Sequence, residues 1–352
     1  MFPSTFSRHA GRGALLVFAL SIITSGCSTS RYLWQAAGGQ LSLLNHARPI
    51  VEVLKDEKES PRIRGLLAEI PKIKSFGEKN GVRATSNYQE YVRLDRAAAV
   101  WVVSAARPLQ FTSKEWSFPI VGRFPYLGWF DLKNAKSYAK ELEGEGWDVD
   151  VRGAGAYSTL GWFRDPILSS MIFAGNEALG ELVNVVLHES VHATVYISGQ
   201  AYFNESLASF VADHLTPLYL GSQSELKVAW EKNEAEGKTR AQKLHEAYES
   251  LSRLYAIASK SDEEKLREKK TFLDQLRSEL GWKRPLNNAA LIQFKTYTSA
   301  SSDFERVWLA CGGSSSRFLT LMLQLKEHDF QKNQQDDLKP VLDRLISLGC
   351  SP

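Results

Sequence analysis

Apolar residues recur along this chain with two different spacings, and the change from one to the other divides it into parts. Tyr32 to Leu54 reads as helix, with Leu41, Leu44, Ile50, Val53 and Leu54 apolar and Pro49 as a kink or break. From Pro61 to Lys79 the residues Ile63, Leu66, Leu67, Ile70, Ile73 and Phe76 stand three and four apart, as on one buried helix face. The spacing then shortens. Ala97 to Val103, Trp116 to Gly122, Tyr126 to Phe130 and the alternating Trp147 to Val151 predict strands of a small sheet, with an amphipathic helix from Lys133 to Glu145 that ends at Gly146. Leu179 to Ile197 is apolar nearly all round and predicts a deeply buried helix. Ser198-Gly199 end it, and Asn204 can cap a second helix running from Glu205 to Leu220.

After Leu220 the composition shifts to Lys, Glu, Arg and Gln. Leu244, Ala247, Leu251, Leu254 and Ala258 have coiled-coil-like spacing, and Leu266, Leu273, Leu276 and Leu280 follow a polar break. A long antiparallel helical hairpin is expected, structural in role or shading a site as a lid, with partner binding as a further alternative. Leu286 to Tyr297 is again apolar, and helices at 302–310, 315–327 and 338–348 close the chain. The fold class is therefore α+β and predominantly α-helical. Its parts are a leader (1–26), an N-terminal helical region (27–96), a core (97–221), the charged hairpin (222–283) and a C-terminal helical part (284–352).

With 43% hydrophobic and 24% charged residues among 352, the composition is that of an ordinary globular chain. The leader differs. Arg8, His9 and Arg12 precede an apolar run from Ala14 to Ile23, which is too short to span a bilayer and fits an export signal. Its ending, Ser25-Gly26-Cys27, resembles a bacterial lipoprotein processing site, with Thr24 where such sites usually carry leucine. That likeness makes Cys27 the lipidated first residue of a mature chain on the periplasmic face of the cell envelope; a plain cleaved signal is the alternative. Without the leader, basic residues fall from 43 to 41 against 40 acidic, and no basic patch with interleaved aromatics suggests a nucleic-acid partner. Cys311 and Cys350 then remain, either as a pair or as two thiols.

The chemistry concentrates in Leu187-His188-Glu189-Ser190-Val191-His192. Two histidines four apart on a helix leave the same face and can close on one metal ion, with Glu189 beside them. Polar groups on so apolar a helix need partners, and a metal supplies them. Twelve residues separate His192 from Glu205, enough for the chain to turn back and offer Glu205 as a third ligand, with a fourth position open to water. Zinc is the metal that this ligand set suggests. His214, nine residues beyond Glu205, is a candidate to support the ligands from outside but not to join them, and His245 and His328 sit among charged residues. Asn287 and Asn288 could line the site or cap a helix. Upstream, Gly153 to Phe163 is rich in small residues; as an edge strand or loop, its Gly155 and Ala156 could pair with an extended peptide, and a plain glycine-rich connection is the alternative.

The H-E-x-x-H pattern followed by Asn204-Glu205-Ser206-Leu207-Ala208 is similar to the gluzincin class of zinc metallopeptidases. More of the chain, from Ser25-Gly26-Cys27 through Ala47-Arg48-Pro49, Ala156 to Phe163 and Phe203 to Ser206, resembles a bacterial family of predicted lipoprotein aminopeptidases. The resemblance implies His188, His192 and Glu205 as zinc ligands, Glu189 as general base, a peptide or protein substrate, and attachment to the membrane through Cys27. A cysteine pair that often flanks the Phe-Pro segment in that family is replaced by Ser117 and Arg123. Tyr157 and Tyr297 are candidate donors to the oxyanion. An envelope endopeptidase, and a non-catalytic protein with a structural zinc clamp, are the competing readings.

Overall fold

The computed structural model describes residues 27–118, 122–156, 164–221 and 224–350. They belong to two units, Met1–His46 and Ala47–Pro352. The leader lies outside the described residues, and helix α1 (Cys27–His46) follows it. This helix stops before Pro49 instead of kinking through it. Arg48–Pro49 form β1, paired antiparallel with β2 (Glu90–Val92), and a single turn, α2 (Ile50–Val53), follows. Proline drives the residue before it away from helical geometry, so of the kink or break expected at Pro49 the chain takes the break, with a bridge at Arg48. Helix α3 (Pro61–Lys79) has the expected limits: Ser60 accepts from the Ile63 amide at 3.2 Å, Pro61 needs no partner for a missing N–H, and Leu67, Ile70 and Ile73 are buried.

Among the described residues the strands form three small sheets rather than one. The largest has order β6-β3-β7, with β3 (Val100–Ala106) antiparallel to β6 (Tyr126–Trp129) and β7 (Asp148–Ala154). Between them come the hairpin of β4 (Trp116–Phe118) with β5 (Gly122–Phe124), and α4 (Leu132–Gly144), capped by Asp131. A third sheet was missed by sequence reading because its strands are two or three residues long: β1 and β8 (Ile167–Leu168) flank β2, the latter pair parallel. Trp129 packs against Tyr138 of α4 with ring centres 5.2 Å apart and planes tilted by 37°, so that face of the central sheet is covered by α4. Asp148, Asp150 and Arg152 alternate onto the other face.

The helices follow: α5 (Ala178–Thr194), α6 (Ala201–Tyr219), α7 (Ser224–Ala256), α8 (Asp262–Glu279), α9 (Asn288–Ala310), α10 (Ser315–Met322) and α11 (Lys339–Leu348). The hairpin of α7 and α8 exists as expected, turned by a reciprocal cap in which the Glu264 amide donates to Ser261 Oγ and the Ser261 amide to Glu264 Oε2. It is built into the core rather than standing off as a lid. Leu244, Ala247 and Leu251 of α7 meet Leu273 and Leu276 of α8 and Leu291 of α9 in one cluster. Buried Lys269 pairs with Asp148 of β7, and Arg284 donates to Asp150 at 2.7 Å. At the other end of α7, Trp230 lies against Gly180 so closely that a Cβ there would come within 2.6 Å of its ring. Asn287 caps α9 by accepting from the Ala290 amide, while Asn288 donates to the Arg107 and Pro108 carbonyls; both asparagines are structural. Cys311 and Cys350 are joined by a disulfide across 39 residues. The architecture is mostly helical with small sheets, the α+β class expected.

Candidate metal centre

Leu182, Val183, Val186, Leu187 and Val191 fix α5 in the core and leave its C-terminal turn to carry polar groups. His188 and His192 are one turn apart, their ring centres separated by 4.9 Å and their planes by 83°. The chain turns at Gly199, whose φ of +72° is the left-handed conformation that glycine adopts most easily, and α6 returns antiparallel. Glu205 then faces both rings: its Oε2 is 3.4 Å from His188 Nε2 and its Oε1 3.8 Å from His192 Nε2. One donor atom from each of the three residues lies within 4.8 Å of the others, so the group can hold a metal ion. Two imidazoles and a carboxylate suit zinc or a similar divalent ion. The His192 side chain is 6% exposed and that of Glu205 52%, so the group opens on the Glu205 side.

The electrostatics of the protein groups alone match that arrangement. Burial would raise the Glu205 carboxyl, but the His188 hydrogen bond and the charges of His192, His188 and Arg152 outweigh it and hold the group at about 2. Burial pulls His192 down to about 4, against the attraction of Glu205, which keeps that imidazole neutral and available as a ligand. At His188 burial is outweighed by Glu205 and Glu189, and the ring is shifted upward. Burial, opposed by His188 and reinforced by Glu205 and Asp165, raises Glu189 to about 7.

A family model described as Putative aminopeptidase matches residues 31–337, a span that contains every residue of this centre. The chain belongs to the Putative aminopeptidase family. No curated protein and no solved structure matches it significantly. Membership in this family gives the convergence of His188, His192 and Glu205 a peptidase context.

Asn204, expected as a helix cap, does something else, because α6 begins three residues earlier, at Ala201. Its buried side chain accepts from the Ile197 amide at 2.9 Å and donates to the Ile197 carbonyl at 2.8 Å, closing the turn between the two ligand-bearing helices. A second brace comes from the C-terminal part, where the Gln334 amide donates to the Gly199 carbonyl and the Gln335 amide to Gln200 Oε1. Asn204→Ala leaves the buried Ile197 amide without its acceptor, while the Ile197 carbonyl keeps only the Gln200 amide at 3.2 Å. It is expected to cost about 1–3 kcal/mol and to weaken metal uptake, read from a denaturant midpoint and a metal titration; unchanged values in both would refute the bracing role. His188 has its own support, since Nδ1 lies 3.4 Å from Ser209 Oγ, an acceptor for the N–H that the Nε2-ligating tautomer carries.

The other expected site residues fare unevenly. Gly155 follows β7 at a sheet edge, and its carbonyl accepts from Ser170 Oγ at 2.5 Å. A Cβ at Gly155 would come within 2.9 Å of the Ser170 carbonyl oxygen, so its small size is used for contact within the protein. Ala156 follows it, partly buried. Tyr157 lies outside the described residues, and Tyr297 lies within α9 with its side chain outside them. His214 is occupied elsewhere, bridging the Phe210 carbonyl and Glu305.

Four groups that sequence reading passed over surround the carboxylates. Tyr126 of β6 is raised by burial and by Glu205, with Arg152 of β7 opposing, and Tyr196 is raised by burial and Glu205. Burial and then Glu189 raise Tyr88, whose φ of +64° is rare for a residue with a side chain and whose amide donates to the Asp165 carbonyl at 2.7 Å. Tyr196 stands four residues after His192, a spacing readable from sequence. The other three depend on strand register and a parallel pairing that no local pattern reveals.

Proposed function

We propose that this chain is a zinc-dependent peptidase, acting on peptides from their amino end, attached to the cell envelope through Cys27. The observation that carries the reading is the three-donor group His188, His192 and Glu205 with Glu189 adjoining it on the same helix. A structural zinc site is closed by four protein ligands, whereas the group here comprises three among the described residues and opens on the Glu205 side, as catalysis requires.

When bound, the metal supplies Lewis acidity, which acidifies water and polarises a carbonyl. The remaining steps belong to the chain. Glu189, partly buried and raised toward neutrality, takes a proton from water and returns it to the leaving amine. The hydroxyls of Tyr126 and Tyr196, both within the field of Glu205, are the described groups suited to donate to the carbonyl oxygen as charge develops there. The Cys311–Cys350 disulfide supports an oxidising compartment and thus export, with Cys27 as the acylated residue on the periplasmic face.

A second reading, endopeptidase, has one observation in its favour. Arg152 places positive charge beside Glu205, where a free N-terminal ammonium would be repelled. Purified protein should cleave aminoacyl reporters in a chelator-sensitive way and leave N-blocked peptides intact. Cleavage of the blocked peptides alone would replace the aminopeptidase reading with the second, and no chelator-sensitive cleavage across a broad peptide library would reject both.

A further inference from the structure

Helix α1 carries none of the residues of the metal centre in its sequence, yet one of its faces is distinctive. Its exposed positions include Leu33, Trp34, Ala37 and Leu41. With 3.6 residues per turn, these four fall within an arc of roughly 100°. Leu33 is 48% exposed, Trp34 80% and Leu41 59%, a cluster of large apolar side chains that a protein surface seldom leaves to water. Beyond Leu41 the exposed positions Ser42, Asn45 and His46 are polar. The apolar face is therefore confined to the end that begins at Cys27. The helix contains no Asp or Glu, and Arg31 and His46 are its basic residues.

The start of the helix indicates what covers this face. A rise of 1.5 Å per residue puts Leu33 and Trp34 about 9–11 Å and Leu41 about 21 Å along the axis from Cys27. No described helix is long and apolar enough to cross a membrane, so α1 would have to lie along a lipid surface rather than through it. We propose that Leu33, Trp34 and Leu41 seat α1 in the headgroup layer of the bilayer that holds the acyl chains of Cys27; this rests on the acylation of Cys27 proposed above. The indole of Trp34 has the apolar body and polar N–H that favour this layer. With no acidic side chain, the helix meets no repulsion from anionic headgroups.

The test uses phosphatidylethanolamine and phosphatidylglycerol vesicles with brominated acyl chains. Acylated wild-type protein should lose a component of its tryptophan emission that the Trp34→Phe variant lacks, although that variant remains vesicle-bound. In flotation, the Cys27→Ser full chain should bind the same vesicles without acylation, and adding Leu33→Ser and Trp34→Ser should weaken that binding on the order of tenfold or more. Unmodified Cys27 in the mass spectrum of the membrane fraction would overturn the acylation reading. Acylated Cys27 with equal quenching in wild type and Trp34→Phe, or Trp34 shielded instead by a second copy in a cross-linked dimer, would overturn the present proposal alone.

Discussion

Replacing Glu189 by glutamine is expected to lower turnover about 10²- to 10⁴-fold while metal content stays at the wild-type level. Glutamine keeps the size and polarity of the side chain, so α5 packs as before, and the ligand atoms on His188, His192 and Glu205 are untouched. What it lacks is an acceptor for a proton. In the free protein burial brings Glu189 to about 7, and a cation held by the neighbouring residues would favour the carboxylate and lower that value. Since only the carboxylate form works as a base, activity should fall as pH drops through the pKa of this group, and Glu189→Gln should lose that acidic limb together with its rate. Metal content measured beside kcat separates the two roles: equal turnover, or loss of metal in step with loss of rate, would remove Glu189 as the base.

Opening the Cys311–Cys350 disulfide should destabilise the fold by about 4 kcal/mol, from the chain entropy that a closure of this length removes from the unfolded state. The bond ties the end of α9 to the C-terminus, where Arg317 also donates to the Cys350 carbonyl. For a chain of this size that corresponds to a fall in Tm of about 6 °C, measured by calorimetry on Cys311→Ser, Cys350→Ser or the double variant. The three should lose nearly the same amount, because each removes the one cross-link. A Tm that stays within about 1 °C of wild type would mean that the two cysteines are not bridged in solution.

The parts of this molecule that sequence foretold are those governed by local rules. Helix α3 was bounded by its Ser60-Pro61 start and its three-and-four spacing, and the ligand pair by the 3.6-residue period of α5. Glu205 could be found because a short turn leaves few places for the returning helix. The hairpin of α7 and α8 followed from charge and leucine spacing. Elsewhere the deciding contacts are distant in sequence. The β2–β8 pairing joins Tyr91 to Ile167 and brings Tyr88 beside Asp165, and Tyr126 and Arg152 reach the centre only because β6 and β7 flank β3 in one register. Asn204 reads as a cap because asparagine shortly after a helix-ending glycine commonly plays that part, and only the helix start at Ala201 shows that its side chain is bonded to Ile197 instead. The pairing of Cys311 with Cys350 depended on where α9 and the C-terminus meet, which spacing could not supply.

The doubly bonded turn at Ile197, with Gln334 and Gln335 behind it, bears on how the centre is loaded. Its hydrogen bonds join protein groups to protein groups, so the two ligand-bearing helices are expected to assemble without help from an ion. Apoprotein should accordingly keep its native circular dichroism. An exchange of one divalent ion for another would then need no refolding and is expected to be limited by dehydration and ligand replacement at the Glu205 side.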